Sequence, residues 1–164
     1  MSGSVRNVRI EDCTFVHART NAIYIKSRPG RGGVIENVTG RNLEVVSCTG
    51  AFLRINLLQS GKQDPEPVPG DEGIPLARNL SFSDVRLADC GGLVEATLIS
   101  PTKPVEGLSI ARVTGECRKG MSLAHIRDVR LSEIAVTGFD GPLLRTQDIT
   151  GTGLEGAVPL DPQP

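Results

Sequence analysis

The chain has 164 residues and a formal net charge of −1, which is the length of one domain with a core of useful size and no charge excess directed at nucleic acid. Aromatic residues make up 3% of it, with no tryptophan and one tyrosine, which leaves no stacking platform for single-stranded bases. No window carries the ~18 consecutive apolar residues of a membrane span, and the opening "MSGSVRNVRIEDCTF" lacks the charged and apolar regions of a signal peptide.

The first element, "VRNVRIEDCTF" at 5–15, alternates apolar and polar residues with a period of 2, the signature of a strand. A second strand, "AIYIKS" at 22–27, runs into the turn "RPGRGG", where Lys26, Arg28 and Arg31 crowd together with Glu36 as the nearby acid. "IENVTGRNLEVV" at 35–46 then repeats the first element and "AFLRINLL" at 51–58 repeats the second. "QSGKQDPEPVPGDEGIP" at 59–75 holds four prolines and three glycines and reads as a loop extruded from one coil. The pattern resumes in "ARNLSFSDVRLADC" (77–90) with "GLVEATLIS" (92–100), and in "VEGLSIARVTGEC" (105–117) with "MSLAHI" (121–126). It closes in "IRDVRLSEIAVTG" (126–138) with "PLLRTQD" (142–148).

One aliphatic residue anchors each repeat: Val8, Val38, Leu80, Leu108 and Val129, spaced by 30, 42, 28 and 21 residues. Short strands joined by polar turns at such a period predict a parallel β-helix, whose coils bury their inward faces only by stacking. The expectation is therefore one all-β domain over 1–164, with about five to six coils, the loop at 59–75 and a capping tail at 151–164. Cys48 and Cys90 both stand ten residues beyond their anchors and should lie side by side. Four cysteines without C-x-x-C spacing, and two histidines, make no zinc pattern, so buried free thiols and no metal are expected.

Taken in order, "VRNVRIEDCTF", "AIYIKSRPGRGGVIENV", "NLSFSDVRL" and "IRDVRLSEIAVTGFDGPLLRTQD" resemble the C-terminal half of the polygalacturonase family, glycoside hydrolase family 28. The resemblance spans residues 5 to 150, with the Pro-rich insertion in its place. It implies a right-handed parallel β-helix, pectin-like substrates, and a family mostly secreted or periplasmic. The family's N-T-D, D-D and G-H-G motifs occur nowhere in this chain. Inverting hydrolysis needs an acid and a base carboxyl ~6.5–9.5 Å apart, whereas Asp12, Asp84, Asp89 and Asp128 sit in turn-like contexts of separate coils. No catalytic residue is therefore expected, and polygalacturonate hydrolysis should be absent.

The family's R-I-K motif survives as "YIK", so Lys26 matches and Tyr24 replaces the arginine. Ile23 and Ile25 take the inward face of that strand and leave Tyr24 and Lys26 outward. The resemblance implies a weak site for an anionic oligosaccharide at Tyr24, Lys26, Arg28 and Arg31, with no cofactor; an ordinary solvated corner is the competing reading. His17 and His125 fall on coils roughly 19 Å apart at ~4.8 Å per coil, too far to cooperate in one monomer. A hydrolase with a site outside the family pattern, or a purely structural module, are the alternatives. The strand at 5–15 has no cap before it, so self-association through residues 5–30 is expected.

Overall fold

The computed structural model describes residues 3–161, and these form a single parallel β-helix. Nine strands carry it: β1 (Val5–Phe15), β2 (Ile23–Lys26), β3 (Val34–Val45), β4 (Cys48–Asn56), β5 (Leu76–Leu98), β6 (Val105–Cys117), β7 (Met121–Thr137), β8 (Leu144–Thr152) and β9 (Val158–Pro159). Every pairing between them is parallel. The five expected anchors fall in one register, Val8 on Val38 on Leu80 on Leu108 on Val129, and a sixth rung follows at Gly151. The strands at 23–26, 48–56, 92–98, 121–124 and 144–147 form a second stacked face of the solenoid.

Corners divide each coil, and the sequence builds them from residues that tolerate a left-handed backbone. Asn7, Asn37, Asn79, Gly107 and Asp128, each one residue before its anchor, all have positive φ. So do Asp12, Asn42, Asp84, Arg112 and Glu133, each four residues after it. Asparagine and aspartate accept this conformation at least cost among residues with a side chain. Stacking then turns a local bend into a ladder. The Asn79 carboxamide donates to Asn37 Oδ1 at 3.2 Å, and Asn37 donates to Asn7 Oδ1 at 2.9 Å.

Inside, Leu43, Val45, Phe52, Leu53, Phe82, Leu93, Ile110 and Val113 are fully buried, with Phe52 and Phe82 meeting edge to face at 6.1 Å. Cys48 lies over Cys90 as the spacing predicts, and Cys117 extends the column by one rung. All four cysteines are free. Burial, followed by the neighbouring Cys48, pushes the Cys90 thiol up to about 12; burial also raises Cys117. Outside, one row alternates in charge from coil to coil, with Glu36 held between Arg6 at 2.8 Å and Arg78 at 2.6 Å.

The two ends of the stack differ. At the first coil the inward residues Val8, Ile10, Cys13 and Phe15 are only half-buried, and Val16 is 67% exposed. Their counterparts one coil on, Val38, Leu43 and Val45, are buried. Past β8 the chain crosses back, so that Leu154 and Ala157 pack on the core. The last three residues of the expected 151–164 cap lie outside the described residues.

Candidate functional site

The outward row of the second face runs Tyr24, Arg54, Glu95, Ser122, Arg145 through the register of β2, β4, β5, β7 and β8. Strand parity places Tyr24 and Lys26 on this row's surface while Ile23 and Ile25 go into the core, as the alternation predicts. Tyr24 is 37% exposed. The Lys26 ammonium lies 5.5 Å from its ring centroid and the Arg54 guanidinium 5.6 Å. Both distances fall within cation–π range. Arg54 also meets Glu95 at 3.2 Å, which leaves the local charge positive by one through Lys26.

Asn56 completes the group from underneath. It is 4% exposed, and its Nδ2 donates to the Tyr24 hydroxyl at 3.3 Å. Its Oδ1 accepts the Leu58 and Gln59 amides at 3.2 and 2.9 Å. Beyond Glu95 the same face opens into a groove of about 500 Å³, with Gly50, Gly91, Gly92 and Gly120 as floor and Lys119 and Ser122 on its walls.

Arg28 and Arg31 are placed differently from Tyr24 and Lys26. Arg28 donates to the Gly61 carbonyl at 2.7 Å, and Arg31 to the Lys62 carbonyl at 2.8 Å with Asp64 at 3.7 Å. These arginines grip the 59–75 loop. That loop folds back over the turn at 27–33: Gly30 and Gly32 amides both donate to the Gly73 carbonyl, and Val68 donates to Gly30. The approach is close enough that a Cβ on Gly30 would strike Gln63 and Pro67, and one on Gly73 would strike the Val68 carbonyl. Lys103 fastens the far side, donating to the Asp71 and Ile74 carbonyls at 2.8 and 3.0 Å. In the turn where a ligand site and a solvated corner were the two readings, Arg28 and Arg31 bond the chain's own loop.

The remaining titratable residues sort into corners. Asp84 accepts two bonds from Arg112 at 2.7 and 3.1 Å, and that guanidinium holds its carboxyl below the usual range. Asp148 accepts from His125 Nδ1 at 2.9 Å and from Arg127 at 2.8 and 3.0 Å; the histidine first and the arginine second lower its carboxyl. Asp89 pairs with Arg118 at 2.7 Å and Asp128 with Arg130 at 2.9 Å. Among the described residues no hydroxyl or thiol is hydrogen-bonded to His125, so its aspartate partner does not complete a nucleophilic relay. His17 is exposed on the first coil. Among the described residues no cluster of histidine, cysteine, aspartate and glutamate has the shape of a metal site.

Arg54, Asn56 and Glu95 were not singled out from sequence. Arg54 was findable: it stands sixteen residues beyond Val38, as Tyr24 stands sixteen beyond Val8. Glu95 stands fifteen beyond Leu80, because the register shifts between β4 and β5. No family model, no curated protein and no solved structure matches the chain.

Proposed function

We propose that this chain binds acidic oligosaccharides weakly and without hydrolysing them, as a polygalacturonase-like β-helix that lacks the catalytic carboxylates of that family. The observation that supports the reading is the exposed Tyr24 ring between Lys26 and Arg54 on one flat face. The cations flanking the ring match a uronate carboxylate, and the Tyr24 hydroxyl, which accepts from Asn56, keeps its proton to donate to a sugar oxygen. The glycine-floored groove beyond Glu95 gives a longer chain somewhere to continue. Against chemistry stands the pairing of the corner carboxylates: Asp84, Asp89, Asp128 and Asp148 are each bound to arginine, and at Asp84 and Asp148 the partners lower the carboxyl, the wrong direction for a general acid.

The test is a comparison of two ligands and one substrate. Trigalacturonate should bind and an uncharged maltotriose should bind several-fold more weakly, while polygalacturonate should release no reducing ends above a heat-treated control. Equal binding of the two trisaccharides, or release abolished by one carboxylate substitution, would overturn the reading. Self-association through the first coil belongs to the same proposal. Its support is the half-exposed row Val8, Ile10 and Phe15 together with β1, which among the described residues pairs with one strand, β3.

A further inference from the structure

One buried carboxamide joins the candidate sugar face to the 59–75 loop. Asn56 donates to the Tyr24 hydroxyl with its nitrogen and, with its oxygen, accepts the amides of Leu58 and Gln59 at the entrance to the loop. Both halves of that carboxamide are in use, so the ring and the loop entrance cannot move independently without breaking one of its bonds. The loop's outer part is held by a second set of contacts, the Arg28 and Arg31 guanidiniums on Gly61 and Lys62 and the Gly30 and Gly32 amides on Gly73. Those holders lie in the turn that directly follows β2, the strand bearing Tyr24. The loop is thus clamped at its rim by the arginines and keyed at its root to the ring.

We infer that Asn56 is a positioning residue for Tyr24, and that docking of the 59–75 loop, through Arg28 and Arg31, fixes the orientation of the ring. The docked loop holds Asn56 under cover, and Asn56 holds the phenol between Lys26 and Arg54. Releasing the loop admits water to Asn56, frees the phenol and loosens the face. The consequence for ligand affinity rests on the function proposed above; the coupling itself does not.

Tyr24 is the chain's one tyrosine and there is no tryptophan, so tyrosine emission reports this ring alone. Quenching by acrylamide, a neutral probe indifferent to the nearby cations, measures how firmly it is held. The combined Arg28→Ala and Arg31→Ala variant, which touches neither Tyr24 nor Asn56, should raise the quenching constant on the order of twofold, and Asn56→Ala should raise it as much. Adding Asn56→Ala to the arginine pair should change nothing further. Asn56→Asp, which keeps the acceptors for Leu58 and Gln59, should lie closer to the native protein than Asn56→Ala. If the arginine variant loses its β-sheet circular dichroism, a chain with 61–72 replaced by a short Gly-Ser linker takes its place. Unchanged quenching after loop release, or additive effects of the arginine pair and Asn56→Ala, would overturn the coupling. Trigalacturonate titrations of the same proteins separate the two claims. Failure of the native chain to bind rejects the proposed function, whereas native binding with an intact affinity in every loop-released variant rejects the role of Asn56.

Discussion

Asn37 holds its backbone at φ 55° while its carboxamide bridges Asn7 on one side and Asn79 on the other. Alanine there would meet the left-handed penalty, about 1–2 kcal/mol for an L-residue, and lose both ladder bonds. Asn37→Ala should therefore lower the urea midpoint, whereas Asn37→Gly, free of the backbone term, should lower it less; equal losses would place the whole effect in the side chain. The cysteine column makes a second residue-level prediction. Cys48, Cys90 and Cys117 are buried, and burial pushes the Cys90 thiol up to about 12, while Cys13 is half-exposed. Thiolates react and thiols do not. An aromatic disulfide reagent at pH 8 should modify Cys13 promptly and the other three only on unfolding, and four fast thiols would contradict the packing. The column was partly readable in advance. Cys48 and Cys90 share one offset from their anchors, but Cys117 is nine residues past Leu108 instead of ten, and the irregular pairing between Leu87 and Cys90 absorbs the difference. A single missing residue hid the third thiol.

The coils hold together as elements through aliphatic stacking within and charged pairs at the corners. Asp148 is held down by His125 and Arg127, and Asp84 by Arg112, so each folded carboxyl lies below its ordinary value of 3.8. Stability from such a group is complete above the unfolded value and is lost as the pH falls through the folded one. Asp84→Asn and Asp148→Asn should accordingly be less stable than the native chain at pH 7, with the difference vanishing in acid below both values. A difference that persists at the lowest pH would assign the loss to packing. Both carboxylates are solvent-accessible, so salt should shrink the effect. The strands were legible because their period of 2 and the recurring anchors are carried by side chains. The docking of the 59–75 loop was not. Arg28 and Arg31 bind main-chain carbonyls of Gly61 and Lys62, and a carbonyl is present whatever the residue, so sequence could count the cations without showing where they go. The charge cluster left a ligand site and a solvated corner both open for that reason, while Tyr24 and Lys26 take the outward positions that alternation assigns them.

At the scale of the molecule the two ends of the described stack differ. Leu154 and Ala157 pack across the last rungs, while Val8, Ile10 and Phe15 remain half-exposed at the first. If the proposed self-association holds, sedimentation at high micromolar protein should show a concentration-dependent oligomer, shifted toward monomer by Ile10→Lys; a single monomeric boundary throughout that range would contradict it. The solenoid also explains how a chain without paired catalytic acids can still present a surface. Coils at ~4.8 Å spacing hold Tyr24 and Arg54 side by side on neighbouring strands. The most direct test of the central claim is a calorimetric titration of trigalacturonate into the native chain and into Lys26→Ala, each at low and at high salt. Binding by the native chain should weaken steeply with salt, and Lys26→Ala should bind about five- to tenfold more weakly at low salt with a flatter salt dependence, a loss of about 1 to 1.4 kcal/mol. No binding by the native chain, or binding that Lys26→Ala leaves unchanged, would contradict it.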